Sequence, residues 1–283
     1  MQFSCWVAGH LTGGLGNRLF QHAAAAGLAE KWNVPLVFYL PECTETGHGP
    51  FENIFKLFPT LPKLTAPVPV HRIPEAFHGV FTYEPFQEKP SHPFNSVDGW
   101  RQSELYFPKK GLKPSFDTVF SKEQQDELLC LYNMNTEDTR RTTWFIHVRL
   151  GDYKILPHHQ IDLNDYYSKA IQHVPKLAKI LLFCDEIDQF GATFQEYFQK
   201  LGYTVMPVKH LDELETLFLM SQCWGGAIVA NSTFSWWGAY FAHLSHPEPS
   251  KYTALYPSIW GKGLPEAKDV VPSWGIRIQN AKN

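Results

Sequence analysis

From Thr143 onward the sequence alternates short apolar runs with longer amphipathic segments, and that rhythm leaves few folds open. Residues 143–148 read as a buried strand and 163–174 as a helix halted by Pro175. Residues 180–184 and 187–201 repeat the pair, the helix ending at Gly202. A strand at 203–207, a helix at 210–223, a strand at 227–230 and a helix at 232–243 complete the series. Strands alternating with helices at this spacing build a parallel sheet covered on both faces. Such sheets take their ligands beyond the carboxyl ends of the strands. The chemistry-bearing residues of this chain fall at such ends.

The amino-terminal part opens in the same way. An apolar run at 3–8 ends in Gly9, and Thr12-Gly13-Gly14-Leu15-Gly16 follows. Leu19, Ala23, Ala26 and Ala29 then recur at helical spacing across 17–32. Residues 34–40 read as a second strand, which completes a βαβ unit. Residues 41–100 are rich in Pro and His and carry no readable motif. The stretch 116–142 is polar and partly helical, so the expected boundary divides the chain into 1–140 and 141–283. A length of 283 residues is comfortable for two domains.

Composition removes several function classes. Lys and Arg number 25 against 28 Asp and Glu, a formal charge of −3, and no basic run exceeds two residues. A nucleic-acid footprint needs clustered cations, so none is expected, and an anionic ligand must be caught locally. The five cysteines are scattered without a Cys-x-x-Cys pair, which suggests neither a disulfide framework nor a zinc site. No apolar run reaches the length of a membrane span, and the start lacks a signal-peptide pattern. The expected location is cytoplasmic, with an acceptor reachable there.

Three constellations carry the chemistry. In His147-Val148-Arg149-Leu150-Gly151-Asp152-Tyr153, His147 and Arg149 project to one face of an extended chain. Gly151 allows a sharp turn beyond them. An Arg there can clamp a diphosphate through charge-assisted hydrogen bonds; an Arg–Asp pair stapling a turn is the other reading. Asn231-Ser232-Thr233-Phe234 follows an apolar strand and opens a helix. Ser232 or Thr233 is the expected N-cap, and the helix start is an anion site. The alternative is an ordinary capped helix with core aromatics. Gly13-Gly14-Leu15-Gly16-Asn17-Arg18 is a tight turn with Asn17 and Arg18 directed into a cleft, or simply a turn and helix start. Leu19 stands where a dinucleotide fingerprint needs its third Gly, and no P-loop Lys follows. Asp185 suits a guanine edge or ribose hydroxyl, with N-capping equally served. Asp185-Glu186-Ile187-Asp188 is not an Asp-x-Asp pair, and His158 and His159 are adjacent, so no metal or other cofactor is expected.

Gly13–Gln21, His147–Tyr153 and Asn231–Ala239, in this order, resemble the α-1,2-fucosyltransferase family, the bacterial-type members of glycosyltransferase family 11. Trp100-Arg101-Gln102-Ser103-Glu104, Asp165-Tyr166-Tyr167 and Leu219-Met220-Ser221 support it. The resemblance implies a GT-B-type α/β architecture, two Rossmann-like domains with parallel sheets. It implies GDP-fucose as donor, a carbohydrate acceptor such as a galactoside, inversion at the anomeric carbon, and no metal. On this chain Arg149 then binds the diphosphate with Ser232 and Thr233 assisting. Asn231 and Phe234 belong to the same donor-binding stretch, and His147 and Asp185 contact the guanosine. Asn17, Gln21 and Gln102 lie on the acceptor and sugar side. Asp152, beside the clamp, is the candidate general base, with orientation of Arg149 as its other role. The family motif has a second Arg where this chain has Leu150, which leaves room for a different donor sugar. The competing readings are a transferase for another nucleotide sugar and a non-catalytic nucleotide- or glycan-binding module.

Overall fold

The computed structural model describes residues 4–75, 81–161, 163–263 and 267–280. Residue 3, the first of the expected opening strand, lies outside them. The chain forms two compact units. The first is Met1–Val119 with Lys268–Pro272, and the second is Phe120–Ala267 with Ser273–Asn283. Both are α/β, and every paired strand runs parallel to its neighbour. Two such units are what a GT-B-type chain contains.

The first unit comprises β1 (Trp6–Gly9), α1 (Leu15–Trp32), β2 (Phe38–Tyr39), α2 (Asn53–Leu57), β3 (Lys63–Leu64), β4 (His71–Ile73), β5 (Phe94–Val97) and α3 (Phe116–Val119). Its main sheet has the order β1-β5-β4, and β2 pairs with β3. The strand expected over 34–40 is shorter because Pro35 has no N–H for a ladder. There the carbonyl of Pro35 accepts from the Val7 amide at 2.9 Å, and only Leu36 bridges Val7. Helix α1 starts at Leu15, just after a turn in which Gly13 holds φ at 77°. It ends on Asn33 in the left-handed region at φ 54°, where the cap N–H returns to the helix carbonyls.

The second unit comprises α4 (Lys122–Leu131), α5 (Glu137–Arg141), β6 (Thr143–Val148), α6 (Asn164–Ala170), β7 (Lys179–Cys184), α7 (Ile187–Lys200), β8 (Val205–Pro207), α8 (Glu213–Ser221), β9 (Gly226–Ile228), α9 (Thr233–Ser245), β10 (Ala254–Pro257) and β11 (Ile276–Ile278). The sheet order is β11-β10-β9-β6-β7-β8. The chain therefore runs outward from β6 to β8 and returns to lay β9 on the other side of β6. Between β6 and β9 the winding reverses, and that switch point opens a crevice at the carboxyl ends. Strand β6 is buried throughout, as a strand covered on both faces must be. Trp236 and Trp237 are fully buried on α9. At Gly238 the helix lies so close to α8 that an added Cβ would stand 2.7 Å from Met220 Sδ.

Sequence periodicity overran the helix expected at 210–223. Asp212 accepts from the Leu214 and Glu215 amides at 2.8 Å while Glu215 reaches back to the Asp212 N–H, so a capping box starts α8 at Glu213. The helix expected over 163–174 is α6 followed by a tighter turn, Ile171–His173. The sequence places the domain boundary after residue 140, whereas the contacts divide the chain after Val119. The polar segment between folds onto the second unit through a few anchors. Phe120 meets Phe218 at 5.7 Å between ring centroids, and the Arg140 guanidinium lies 4.5 Å from the centroid of the Trp224 ring. Among the described residues no helix is long and apolar enough to cross a membrane.

Gly27, inside α1, sits against the backbone at Tyr106, where a Cβ would overlap the carbonyl oxygen and press on the Phe107 carbonyl carbon at 2.9 Å. Ala is the better helix former by about 1 kcal/mol, yet backbone obstruction outweighs that preference. Gly27→Ala is expected to lose about 2 kcal/mol or more of stability in urea titration. A gain would show that the approach of 106–107 to α1 is absent in solution.

Candidate functional site

Strand β6 delivers His147 and Arg149 to its carboxyl end, and β7 delivers Asp185 beside them. Arg149 Nη2 donates to Asp152 Oδ1 at 2.6 Å, and Nη1 lies 3.1 Å from Asp185 Oδ2. Burial works against the guanidinium charge, but Asp185 and then Asp152 hold its pKa above the usual arginine value. Asp185 also accepts the Leu150 N–H at 2.9 Å. It packs over Gly151, where a Cβ would come within 2.5 Å of Oδ2. Glycine at 151 thus leaves room for the carboxylate above it; its φ lies outside the left-handed region, so the turn itself does not call for glycine. Asp152 takes the Arg149-orienting place, one of its two expected roles.

Tyr153, a member of the motif to which sequence reasoning gave no task, joins two constellations. Its hydroxyl donates to the Asn231 carbonyl at 3.0 Å. Its ring lies 5.4 Å from the Arg149 guanidinium and stacks on His159 at 4.1 Å with planes 6° apart. Burial pushes its phenol up to about 12, so it stays a donor at all ordinary pH.

The expected cap on α9 is only half realised. Ser232 occupies the N-cap position with extended backbone but makes no side-chain cap bond. The first-turn amides of this 13-residue helix are therefore not taken up by its hydroxyl, and the helix end carries its positive potential. Asn231 is buried and donates through Nδ2 to the Trp260 carbonyl at 3.2 Å, a structural tie. Thr233 and Phe234 are half-buried in the first turn of the helix.

A cleft of about 420 Å³ opens at these strand ends. Of the expected donor residues, His147, Arg149, Asp185 and Phe234 line it, and Asp152, Asn231, Ser232 and Thr233 do not. The sequence did not point to the loop after β8 and the start of α8, which contribute His210 and Asp212, and Glu213 and Thr216, to the lining. His210 holds φ at 59°, an unusual conformation for a residue with a side chain. The Asp212–Glu215 pair was the available signal for that loop. Among the described residues no group of three or more His, Cys, Asp or Glu side chains is placed to hold a metal ion.

In the first unit, Gln102 Nε2 donates to Asn17 Oδ1 at 3.3 Å, so those two expected residues meet. Gln21 instead turns to the backbone and accepts the Thr12 N–H at 2.9 Å, closing the Gly-rich turn. Arg18 does not enter a cleft. It is fully buried, donates to the Pro50 carbonyl at 3.1 Å and lies 4.3 Å from the Phe51 ring centroid.

No protein-family model matches the chain. The O-antigen biosynthesis glycosyltransferase WbnK of Escherichia coli is 32% identical over 139 residues, 47% of this chain and 43% of that relative. The match therefore spans less than half the length of that protein. An alpha-1,2-colitosyltransferase of Escherichia coli is 27% identical over 263 residues, 83% of this chain and 87% of the relative. Both names accord with the resemblance carried by the motifs. Among solved structures, the fucosyltransferase NodZ from Bradyrhizobium has a TM-score of 0.49 at 17% identity, covering 84% of this chain and 92% of NodZ.

His147 is buried, and burial, then the Arg149 charge, lowers its pKa to about 3. Burial alone takes His22 of α1 to about 3. Both folded values lie below that of a free imidazole, so in between the unfolded chain binds more protons. Their contribution is complete above about pH 6.5 and drains as pH falls, by at most about 1.4 kcal/mol per unit for each ring. Imidazole proton NMR of both residues is expected to stay flat from about pH 8 to 4.5. A midpoint near neutrality for either would contradict this burial.

Proposed function

We propose that this chain is an inverting glycosyltransferase that moves L-fucose from GDP-fucose to a sugar hydroxyl, the 2-OH of a galactoside first among acceptors. One observation carries the reading: Arg149 is fixed between Asp152 and Asp185 at the topological switch point, on the cleft that Phe234 of the α9 start also lines. Two carboxylates leave other donors of the planar guanidinium fork for phosphate oxygens. Strand ends are spaced by ~4.8 Å, so the way from β6 to β8 is about 10 Å, room for a nucleoside beyond its phosphates. That end of the cleft carries Asp188, ion-paired with Lys209 at 3.0 Å, together with Asp212, which also caps α8, and Glu213. Carboxylates suit a base whose edge presents N–H donors, as guanine does, and repel phosphate.

In this reaction the acceptor oxygen attacks the anomeric carbon as the bond to the β-phosphate oxygen breaks. The bonding pair leaves with GDP, and the acceptor proton passes to a base. Negative charge grows on the departing diphosphate, where a preorganised cation and the α9 dipole stabilise it. The reading calls on no metal ion for that task. Asp152 reaches the same end of β6, and its bond to Arg149 makes it a positioning residue whether or not it also accepts the proton.

A second donor has a specific observation in its favour. The relative matched along most of its length is named for colitose, the 3-deoxy analogue of fucose, and Leu150 replaces the second Arg of the family motif. GDP release and product formation should therefore be compared for GDP-fucose, GDP-colitose, GDP-mannose and UDP-galactose over a panel of galactosides. Transfer from a GDP-6-deoxyhexose, with linkage analysis placing it on O2, is the expected result. GDP binding with no turnover on any pair would identify a binding module instead.

Arg149→Ala is expected to lower kcat by about two orders of magnitude or more, the cost of removing one preorganised donor at a developing anion. Near-normal turnover in that variant would remove Arg149 from the reaction.

A further inference from the structure

We infer that Trp100, together with Asn17 and Gln102, forms a platform for one pyranose ring of the acceptor glycan, an assignment that rests on the transferase reading. Trp100 is a large aromatic side chain, 39% exposed, on a loop that is otherwise tightly anchored. The Glu75 carboxylate accepts the backbone N–H of Trp100 at 2.7 Å and of Arg101 at 3.0 Å. Arg101 is buried and donates to the carbonyls of Asp98 at 2.9 Å, Ile73 at 3.1 Å and Pro74 at 2.7 Å. Its φ of 49° places a bulky residue in the left-handed region, beside Gly99 at 96°. Strain of this kind persists where surrounding contacts over-determine it, and it gathers at functional sites. Here it presents an indole that could otherwise turn inward.

The polar half of the platform adjoins that ring. A Cβ on Gly13 would lie 2.9 Å from Asn17 Nδ2 and 3.5 Å from Trp100 Cζ3, so ring and amide flank the same bare stretch of backbone. Gln102 is only 8% exposed and is bonded to Asn17 through Nε2, while its Oε1 is buried with no hydrogen-bond partner among the described residues. A buried amide oxygen without a protein donor is costly and favours a donor from water or from a bound hydroxyl. A flat apolar face beside paired amide donors and acceptors matches a pyranose, whose C–H face stacks while its hydroxyls meet the amides. A phosphorylated ligand fits less well. The neighbouring charges are the Glu75 carboxylate and the Asp98 carboxylate paired with His10, and the Arg101 cation is spent on backbone carbonyls.

The test uses the full chain and two probes, lactose and methyl β-D-galactopyranoside, in saturation-transfer NMR. The wild-type protein should saturate the C–H protons of one sugar face. Trp100→Ala should abolish the signal while leaving the thermal melting curve in place, and Trp100→Phe should retain part of it. In transfer assays Trp100→Ala should raise the acceptor KM about tenfold, the size of one lost aromatic stack, with the donor KM little moved. Gln102→Leu should weaken acceptor binding in the same direction. Absence of signal with both sugars, or an unchanged signal and acceptor KM in Trp100→Ala, overturns the platform. Sugar binding that depends on Trp100 in a protein without turnover keeps the platform and defeats only the transferase reading.

Discussion

A single guanidinium pinned by two carboxylates organises the second unit. Arg149 leaves the end of β6, Asp185 leaves the end of β7, and their contact fixes those two strand ends relative to each other, next to the β6–β9 position where the sheet reverses its winding. Asp185 takes the Leu150 amide in addition, so the loop that follows β6 has one path open to it. Gly151 answers to the same carboxylate, since any side chain there would occupy its space. An arginine held this way loses part of its pull on a distant anion. In exchange it occupies one position before any ligand arrives, and catalytic electrostatics depends on that absence of reorganisation.

Tyr153 extends the constraint to the other side of the switch point. Its hydroxyl bonds the carbonyl of Asn231, and its ring lies under Arg149 and against His159. The motif after β6 and the motif before α9 are thus one packed cluster. Asn231 is tied in turn to the Trp260 carbonyl, and Trp236 and Trp237 root α9 in the core. The amino end of that helix cannot drift with respect to the guanidinium without breaking buried contacts. Two sources of positive potential are therefore set by the same few side chains.

The parallel fold of the second unit was legible because the centres of β6 and β7 are buried on both faces and read as short apolar runs. Helix limits were less so. Periodicity at 210–223 continues through Asp212, and only its capping box with Glu215 decides where α8 begins. The boundary near residue 140 followed polarity, while Phe120 and Arg140 attach that polar stretch to α8 and the Trp224 region by a handful of contacts that composition does not register. The reach of single side chains was also hidden. Gln21 and Arg18 stand in the same turn of α1 as Asn17, yet both are consumed by backbone carbonyls and amides. Spacing states which residues share a helix face and is silent on which of them the backbone claims.

The two units carry opposite chemistries, and this division argues for a substrate pair of matching character. The second unit concentrates charge: a fixed arginine, a helix amino end, and Asp188, Asp212 and Glu213 along one cleft. Such a site discriminates by charge and by N–H donors, the features of a nucleoside diphosphate. In the first unit the residues at the proposed platform are an exposed indole, a half-buried Asn17 and a buried Gln102, with Arg101 and Arg18 engaged by backbone carbonyls. A neutral amide pair beside an aromatic face supplies no compensating charge for a phosphate but suits a ring of hydroxyls and C–H groups. Under the proposed transferase reading, an anionic donor and an uncharged, polyhydroxylated acceptor are the ligand pair that these two chemistries would suit.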